Sequence, residues 1–284
     1  MIRIGVIGAG VMGIGIAQTI AHSKMEVVLI DVEEKILLHA MEQIENNIRL
    51  ILMLNKSENQ ESKDTILSRV LPTLDYNVLS NVDYIIENVN ENVDKKREVF
   101  GKIEKICDPD CIFIANTSCI PITHIASFTK RKELVIGVHF MNPVPLIKAV
   151  EVIPGFHTSD KTMEKTCDLT RSLGKEPIVV QDSPGFVANR VSHLFMNEAA
   201  FVLHEKLASP SDIDAIFMKC YGHKMGPLET MDLIGIDTVV NSLDVLYEQY
   251  HDPKYRCCPL LRSMVSAGML GKKSGEGFFR YVNA

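Results

Sequence analysis

The 284-residue chain lacks an excess of positive charge, a long apolar run and a paired-cysteine motif, and each absence closes off a class of function. Its 30 Lys and Arg stand against 36 Asp and Glu, a net charge of −6. Such a surface does not gather polyanions non-specifically, so no nucleic-acid partner is expected, and an anionic ligand must be met by helix N-termini or a few lysines. Apolar stretches such as Leu50-Ile51-Leu52-Met53-Leu54 fall far short of the roughly 20 residues that cross a bilayer, so no membrane partner is expected. The opening Met1-Ile2-Arg3-Ile4-Gly5 runs straight into strand-like sequence, without the cationic region and cleavage site of a secretory leader. Seven cysteines, an odd number without a C-x-x-C pair, point to reduced thiols in the cytoplasm. Cys107 and Cys111 in CDPDC have no nearby His or second Cys pair to complete a ligand set, so no metal centre is expected.

The first half alternates short β-branched runs with longer amphipathic segments, the pattern of βαβ units on a mostly parallel sheet. Strands are predicted at 2–7, 27–31, 84–89, 112–116, 135–140, 149–153 and 177–180. Helical periodicity covers 33–55 and 93–106, and the polar stretch NKSENQESKD at 55–64 reads as a connection between two helices. Beyond Asp182 strand signals vanish, and helices are predicted at 185–206, 210–221, about 228–250 and 258–269. Ser183-Pro184 reads as a helix start, with Ser as cap and Pro in the first position. The expected organisation is a Rossmann-like α/β domain, 1–182, followed by an all-α domain, 183–284.

Strand 2–7 leads into Gly8-Ala9-Gly10-Val11-Met12-Gly13 and a helix. In that context the first Gly permits a tight turn, the second lets a pyrophosphate approach the backbone, and the third lets helix pack on strand. The phosphates would meet the free N–H groups and positive end of the helix. A bare glycine motif can serve packing alone, but here a second strand ends in Asp31, 18 residues past Gly13. A carboxylate there accepts hydrogen bonds from ribose hydroxyls and repels a 2′-phosphate, which favours NAD over NADP.

Val135-Ile136-Gly137-Val138-His139-Phe140 is followed, after a short connection, by Ala149-Val150-Glu151-Val152-Ile153. The connection is too short for a parallel crossover, so an antiparallel hairpin is expected, with His139 beside Glu151. A buried His–Glu pair fixes the imidazole tautomer and stabilises its protonated form, as suits a general base. An isolated histidine at a strand end is more often structural. Here, however, His139 and Ser118, in ANTSCIPIT, both end strands of a dinucleotide-binding sheet, the edge where such folds place ligands.

Taken together, GAGVMGIGIAQ, ENVNENVDKKREVF, ANTSCIPIT, GVHFMNPVP, VEVIPG, DSPGFVANR, MGPLETMDLIGID and GKKSGEGFFRY resemble the 3-hydroxyacyl-CoA dehydrogenase family, whose short bacterial members have about this length. The resemblance implies His139 and Glu151 as the catalytic pair, with Ser118 and Asn189 hydrogen-bonding substrate oxygens. It implies cofactor contacts at Asp31, Glu91, Lys96, Asn142 and Lys273, and a homodimer formed through the C-terminal helices. With no base dedicated to it, Ser118 reads as a hydrogen-bonder, not a nucleophile; Asn116 and Thr117 tie down its loop.

Two positions depart from the family pattern. Cys119 stands where a second serine is usual, and the helix at 44–56 keeps only Arg49 and Lys56 of the basic residues expected to hold coenzyme A. The expected substrate is a short-chain acyl thioester of CoA, such as 3-hydroxybutyryl-CoA. The thinned basic cluster leaves open a hydroxyacyl group on an acyl carrier protein, as in polyketide extender synthesis. A non-catalytic dinucleotide-binding or structural protein of the same fold is disfavoured, because Ser118, His139, Glu151 and Asn189 occur together.

Overall fold

A computed structural model describes residues 2–54 and 61–281. The chain divides into two compact units, Met1–Ser183 and Pro184–Ala284, one residue beyond the expected boundary.

In the first unit the elements run β1 (Arg3–Ile7), α1 (Val11–His22), β2 (Glu26–Ile30), α2 (Glu34–Leu54), α3 (Lys63–Leu67), β3 (Val70–Thr73), β4 (Tyr84–Glu87), α4 (Val93–Ile106), β5 (Ile112–Ala115), α5 (Ile122–Ala126), β6 (Val135–His139), β7 (Ala149–Pro154), α6 (Asp160–Ser172) and β8 (Glu176–Val179). They build one sheet in the order β3-β2-β1-β4-β5-β6-β7-β8. Neighbours are parallel except β6 and β7, which form the expected antiparallel pair. The central strands are apolar throughout because helices cover both faces of such a sheet. Ile4, Val6, Val27, Leu29, Ile86 and Ile114 are fully enclosed with Ile16, Ile20, Ile44 and Ile48 from α1 and α2.

One strand escaped the sequence reading. β3, Val-Leu-Pro-Thr, is short and contains a proline, both of which weaken a strand signal. It survives as an edge strand, where the missing proline N–H costs no ladder bond. The opposite edge, β8, carries Pro177 in the same way, and a proline on each edge discourages strand addition by another chain.

The second unit consists of α7 (Ala188–His204), α8 (Pro210–Cys220), α9 (Pro227–Ile234), α10 (Ile236–Tyr250) and α11 (Pro259–Ser266), packed around Met196, Ile213, Leu228, Met231, Leu243 and Leu261. The helix expected over 228–250 is two helices, broken at Gly235 with φ +103°. The helix expected from 185 begins only at Ala188, since Gly185 and Phe186 take left-handed conformations, φ +74° and +46°. Ser183-Pro184 is therefore connector, not cap. The Asp214 carboxylate caps α9 through the N–H groups of Leu228 and Glu229, both at 2.9 Å.

Candidate active site

Gly8 joins β1 to the turn with φ +96°, and a β-carbon there would lie 2.8 Å from the carbonyl oxygen of Asn88. At Gly13 a β-carbon would come within 1.8 Å of the Gly8 carbonyl oxygen, so helix and turn can approach this closely only with glycine at both places. Gly10, by contrast, faces open space. No side chain caps α1, and its first turn closes with Ile14 N–H on Gly10 O, which leaves the N–H groups of Val11, Met12 and Gly13 directed out of the helix end. Asp31 sits just past β2. One oxygen accepts from Ala9 N–H and the other from Val32 N–H, both at 2.7 Å, so the acid braces the glycine turn. Beside it opens a cavity of about 470 Å³ lined by Gly8, Gly10, Asp31, Tyr76, Asn88 and Lys102. An anion-accepting helix end, a turn with room above Gly10, and a carboxylate at the cavity wall fit a dinucleotide.

The ends of β4 and β5 are held from below by an enclosed ion pair. The Lys96 ammonium has no exposed surface and lies 2.8 and 3.0 Å from the two oxygens of Glu87. It also reaches the carbonyls of Asn116, at 3.4 Å, and Val89, at 3.5 Å. Burial pushes the Glu87 carboxyl above the ordinary range, opposed by the Lys96 charge and by the Val89 N–H. Lys96, expected to touch the cofactor, thus spends its charge inside the protein. Above it, a single oxygen of Glu91 accepts from Thr117 Oγ1 (2.5 Å) and from the N–H groups of Ser118 (3.0 Å), Cys119 (2.8 Å) and Ile120 (3.4 Å). The loop after β5 is strung on that carboxylate. Cys119 is buried, so the sulfur in place of the usual serine adds no exposed group to the loop.

His139 ends β6 and faces Glu151 of β7 in the strand register. Its Nδ1 lies 2.8 Å from Glu151 Oε2, and both side chains are buried. A carboxylate can only accept, so Nδ1 carries a proton, and in the neutral ring Nε2 then presents its lone pair. Ser118 Oγ is 3.3 Å from that Nε2, and its hydroxyl donates to the nitrogen in this tautomer. A hydroxyl, an imidazole and a carboxylate thus stand in line at one end of the sheet. Such a line can take a proton from an alcohol held near Nε2 and stabilise the resulting imidazolium.

Residues 3–183 match the NAD-binding domain of 3-hydroxyacyl-CoA dehydrogenases, and residues 185–281 match their C-terminal domain. The chain belongs to the 3-hydroxyacyl-CoA dehydrogenase family. It is thereby an oxidoreductase of CH–OH groups whose cofactor is NAD. A probable 3-hydroxybutyryl-CoA dehydrogenase of Deinococcus radiodurans is 42% identical over 98% of this chain and 100% of its own length. The mitochondrial hydroxyacyl-coenzyme A dehydrogenase of Homo sapiens is 37% identical over 98% of this chain and 91% of its own. Among solved structures, the (S)-3-hydroxybutyryl-CoA dehydrogenase of Ralstonia eutropha superposes with a TM-score of 0.93 at 40% identity, covering 99% of each chain.

The remaining positions marked by resemblance to the 3-hydroxyacyl-CoA dehydrogenases are spread over both units. Asn142 is exposed at the start of the loop after His139, directly before a cis-Pro143. Asn189, expected well inside a helix, is the second residue of α7, and its carbonyl accepts from His193 Nδ1 at 3.0 Å. Lys273 pairs with Asp237 of α10, Nζ to Oδ2 2.7 Å. Arg49 on α2 pairs with Glu45 at 3.0 Å, a carboxylate that Lys63 also reaches at 2.6 Å. The charge expected to meet coenzyme A is partly answered within the helix, and Lys56 lies outside the described residues.

The sequence reading missed three residues that brace these strand ends and the loop after His139. Glu87 was legible as the lone acid ending the apolar run Tyr84-Ile85-Ile86-Glu87. Asn88 carried no signal. Lys175 follows Gly174 without distinction, yet it is buried and donates to the carbonyls of Val144 and Ile147, which fastens the loop that begins at Asn142.

Proposed function

We propose that this protein interconverts 3-hydroxyacyl and 3-oxoacyl thioesters of coenzyme A with NAD, and that its substrate is a short chain such as 3-hydroxybutyryl-CoA. The observation that carries the reading is the line Ser118–His139–Glu151 at the end of a sheet built to hold a dinucleotide.

NAD, when bound, supplies the hydride acceptor for C3 of the substrate. The residues of the chain do the rest. His139 Nε2 takes the proton of the C3 hydroxyl in oxidation and returns it in reduction, and Glu151 balances the charge that the ring gains. A positioned base of this kind is worth about 10²–10⁴ in rate. Ser118 exchanges its bond to Nε2 for one to a substrate oxygen, which keeps C3 in line for transfer. Asn189 is assigned a second hydrogen bond to substrate. Asp31 holds the adenosine ribose, and Glu91, Asn142 and Lys273 serve the nicotinamide half. Arg49 and Lys56 are assigned the coenzyme A phosphates.

The helical unit exposes Ile216, Met218, Tyr221, Leu233 and Ile234, which supports its assignment as the surface of a homodimer. Light scattering in solution reads that state directly.

The activity is tested by following NADH consumption with acetoacetyl-CoA, with wild type beside His139→Ala. Turnover by wild type and its loss in the variant are expected. A wild type that binds NADH but reduces no thioester, free or carrier-bound, would refute the reading. Activity confined to a hydroxyacyl group on a carrier protein would replace its coenzyme A part.

A further inference from the structure

Ser118 and His139 lie on neighbouring segments, yet the backbone ladder between those segments stops short of both. The last β5–β6 pair is Ala115 with Gly137. On the other side of β5, the last β4–β5 pair is Glu87 with Ala115, followed by the bond from Asn116 N–H to Glu87 O at 2.9 Å. Beyond this point the next rung is made by a side chain. Asn116 Oδ1 accepts the N–H of Phe140, the residue after His139, at 3.2 Å. Its Nδ2 donates to Asn88 Oδ1 at 2.7 Å, and Asn88 Nδ2 donates to the carbonyl of Ile86 at 3.0 Å.

This relay runs in one direction across three strand ends. It begins at a backbone N–H, which can only donate, and finishes at a backbone C=O, which can only accept, so both amide orientations are determined by their neighbours. Each link needs a donor and an acceptor on one short side chain, which asparagine has and an ionised aspartate or a leucine does not. The relay also touches what surrounds it. The Asn116 carbonyl receives the enclosed Lys96 ammonium, and the Asn88 carbonyl closes the space beside Gly8 at the dinucleotide turn.

We infer that Asn116 is a positioning residue: its amide sets the backbone of His139 and Phe140 against the loop of Ser118, and so maintains the 3.3 Å approach of Ser118 Oγ to His139 Nε2. The inference rests on the dehydrogenase reading above for its consequence in rate, and on the hydrogen bonds alone for its consequence in geometry. Asn116 touches neither reacting atom; it acts through the two residues that do.

The test combines kinetics on Asn116→Ala, Ser118→Ala and the double variant with a crystal structure of Asn116→Ala. Misplacement of the order of an ångström costs about 100-fold in rate, so kcat with acetoacetyl-CoA and NADH should fall roughly 10- to 100-fold while both KM values move less than about threefold. Because Asn116 acts through Ser118 and His139, its effect should shrink to about threefold or less in the Ser118→Ala background, whereas independent damage would multiply. The variant's structure should show the Oγ to Nε2 approach lengthened by about 0.5 Å or more. A kcat within about threefold of wild type, or the same fold-loss in both backgrounds, overturns the inference. If Asn116→Ala does not fold, Asn116→Asp takes its place in the same cycle and the same structure, keeping the acceptor for Phe140 N–H and losing the donor to Asn88. If wild type reduces no thioester, the dehydrogenase reading fails, and the structure then decides: an unchanged approach overturns the inference, a lengthened one supports it.

Discussion

His139 and Glu151 occupy directly opposed places in the β6–β7 register, and their side chains meet at 2.8 Å, Nδ1 to Oε2. The carboxylate selects which ring nitrogen carries the proton and supplies the negative charge that a protonated ring needs when both are shut away from water.

Glu151→Gln tests that role. Its amide carries no charge to balance an imidazolium, and its NH2 can turn to Nδ1 and favour the ring proton on Nε2. The expected result is a fall in kcat of roughly 10²–10⁴ with NADH affinity unchanged, read by steady-state kinetics and NADH fluorescence titration. An undiminished kcat would mean that Glu151 is structural only.

Gly13 and Gly10 should separate packing from binding. Gly13→Ala places a β-carbon 1.8 Å from the Gly8 oxygen and should lower the melting temperature markedly. Gly10→Ala meets nothing within 4 Å beyond its immediate chain neighbours, so the melting temperature should hold while NADH binding weakens about tenfold or more. Unchanged NADH affinity in Gly10→Ala would place the pyrophosphate elsewhere.

Lys96→Met leaves the Glu87 carboxylate buried without its partner, a loss of about 3–5 kcal/mol for an enclosed pair. Burial already raises the Glu87 pKa above its ordinary 4.5, and without Lys96 it rises further. A carboxyl whose folded value is raised gives stability that is fully present below the unfolded value and lost as pH rises through the folded one. Urea unfolding should therefore show a larger deficit, relative to wild type, at pH 8 than at pH 5. A deficit independent of pH would count against a buried, unpaired Glu87.

Lys175 gives the opposite slope. Burial pushes its ammonium below the ordinary 10.5. Between the depressed folded value and 10.5 the unfolded chain binds more proton, so stability from this group rises with pH and is lost as pH falls through the folded value. Between pH 8 and pH 10 the melting temperature of wild type should improve relative to Lys175→Met. A constant difference would show that Lys175 titrates in the folded chain as it does in the unfolded one.

The particular elements show where sequence was a sufficient guide. The turn Gly8–Gly13 was legible because a β-carbon has no room at Gly8 or Gly13, a constraint written in the residue type itself. The β6–β7 hairpin was legible because a short connection admits only antiparallel pairing, and counting along it brings His139 to Glu151. The strand β3 was not legible, since four residues with a proline acquire strand character only from the pairing offered by β2. The start of α7 and the break at Gly235 were missed because left-handed backbone at Gly185, Phe186 and Gly235 interrupts an apolar period that looks continuous.

By itself the sequence determined the class of sheet, the dinucleotide turn, the pairing of His139 with Glu151 and the resemblance that named the family, because each rests on local sterics, chain length or motif order. Only the tertiary structure decided that Lys96 is enclosed with Glu87, that one oxygen of Glu91 carries the Ser118 loop, and that Asn116 and Asn88 bridge three strand ends. Burial and partnership belong to residues brought together from distant parts of the chain, and no spacing along the sequence encodes which polar group will be left there to satisfy another.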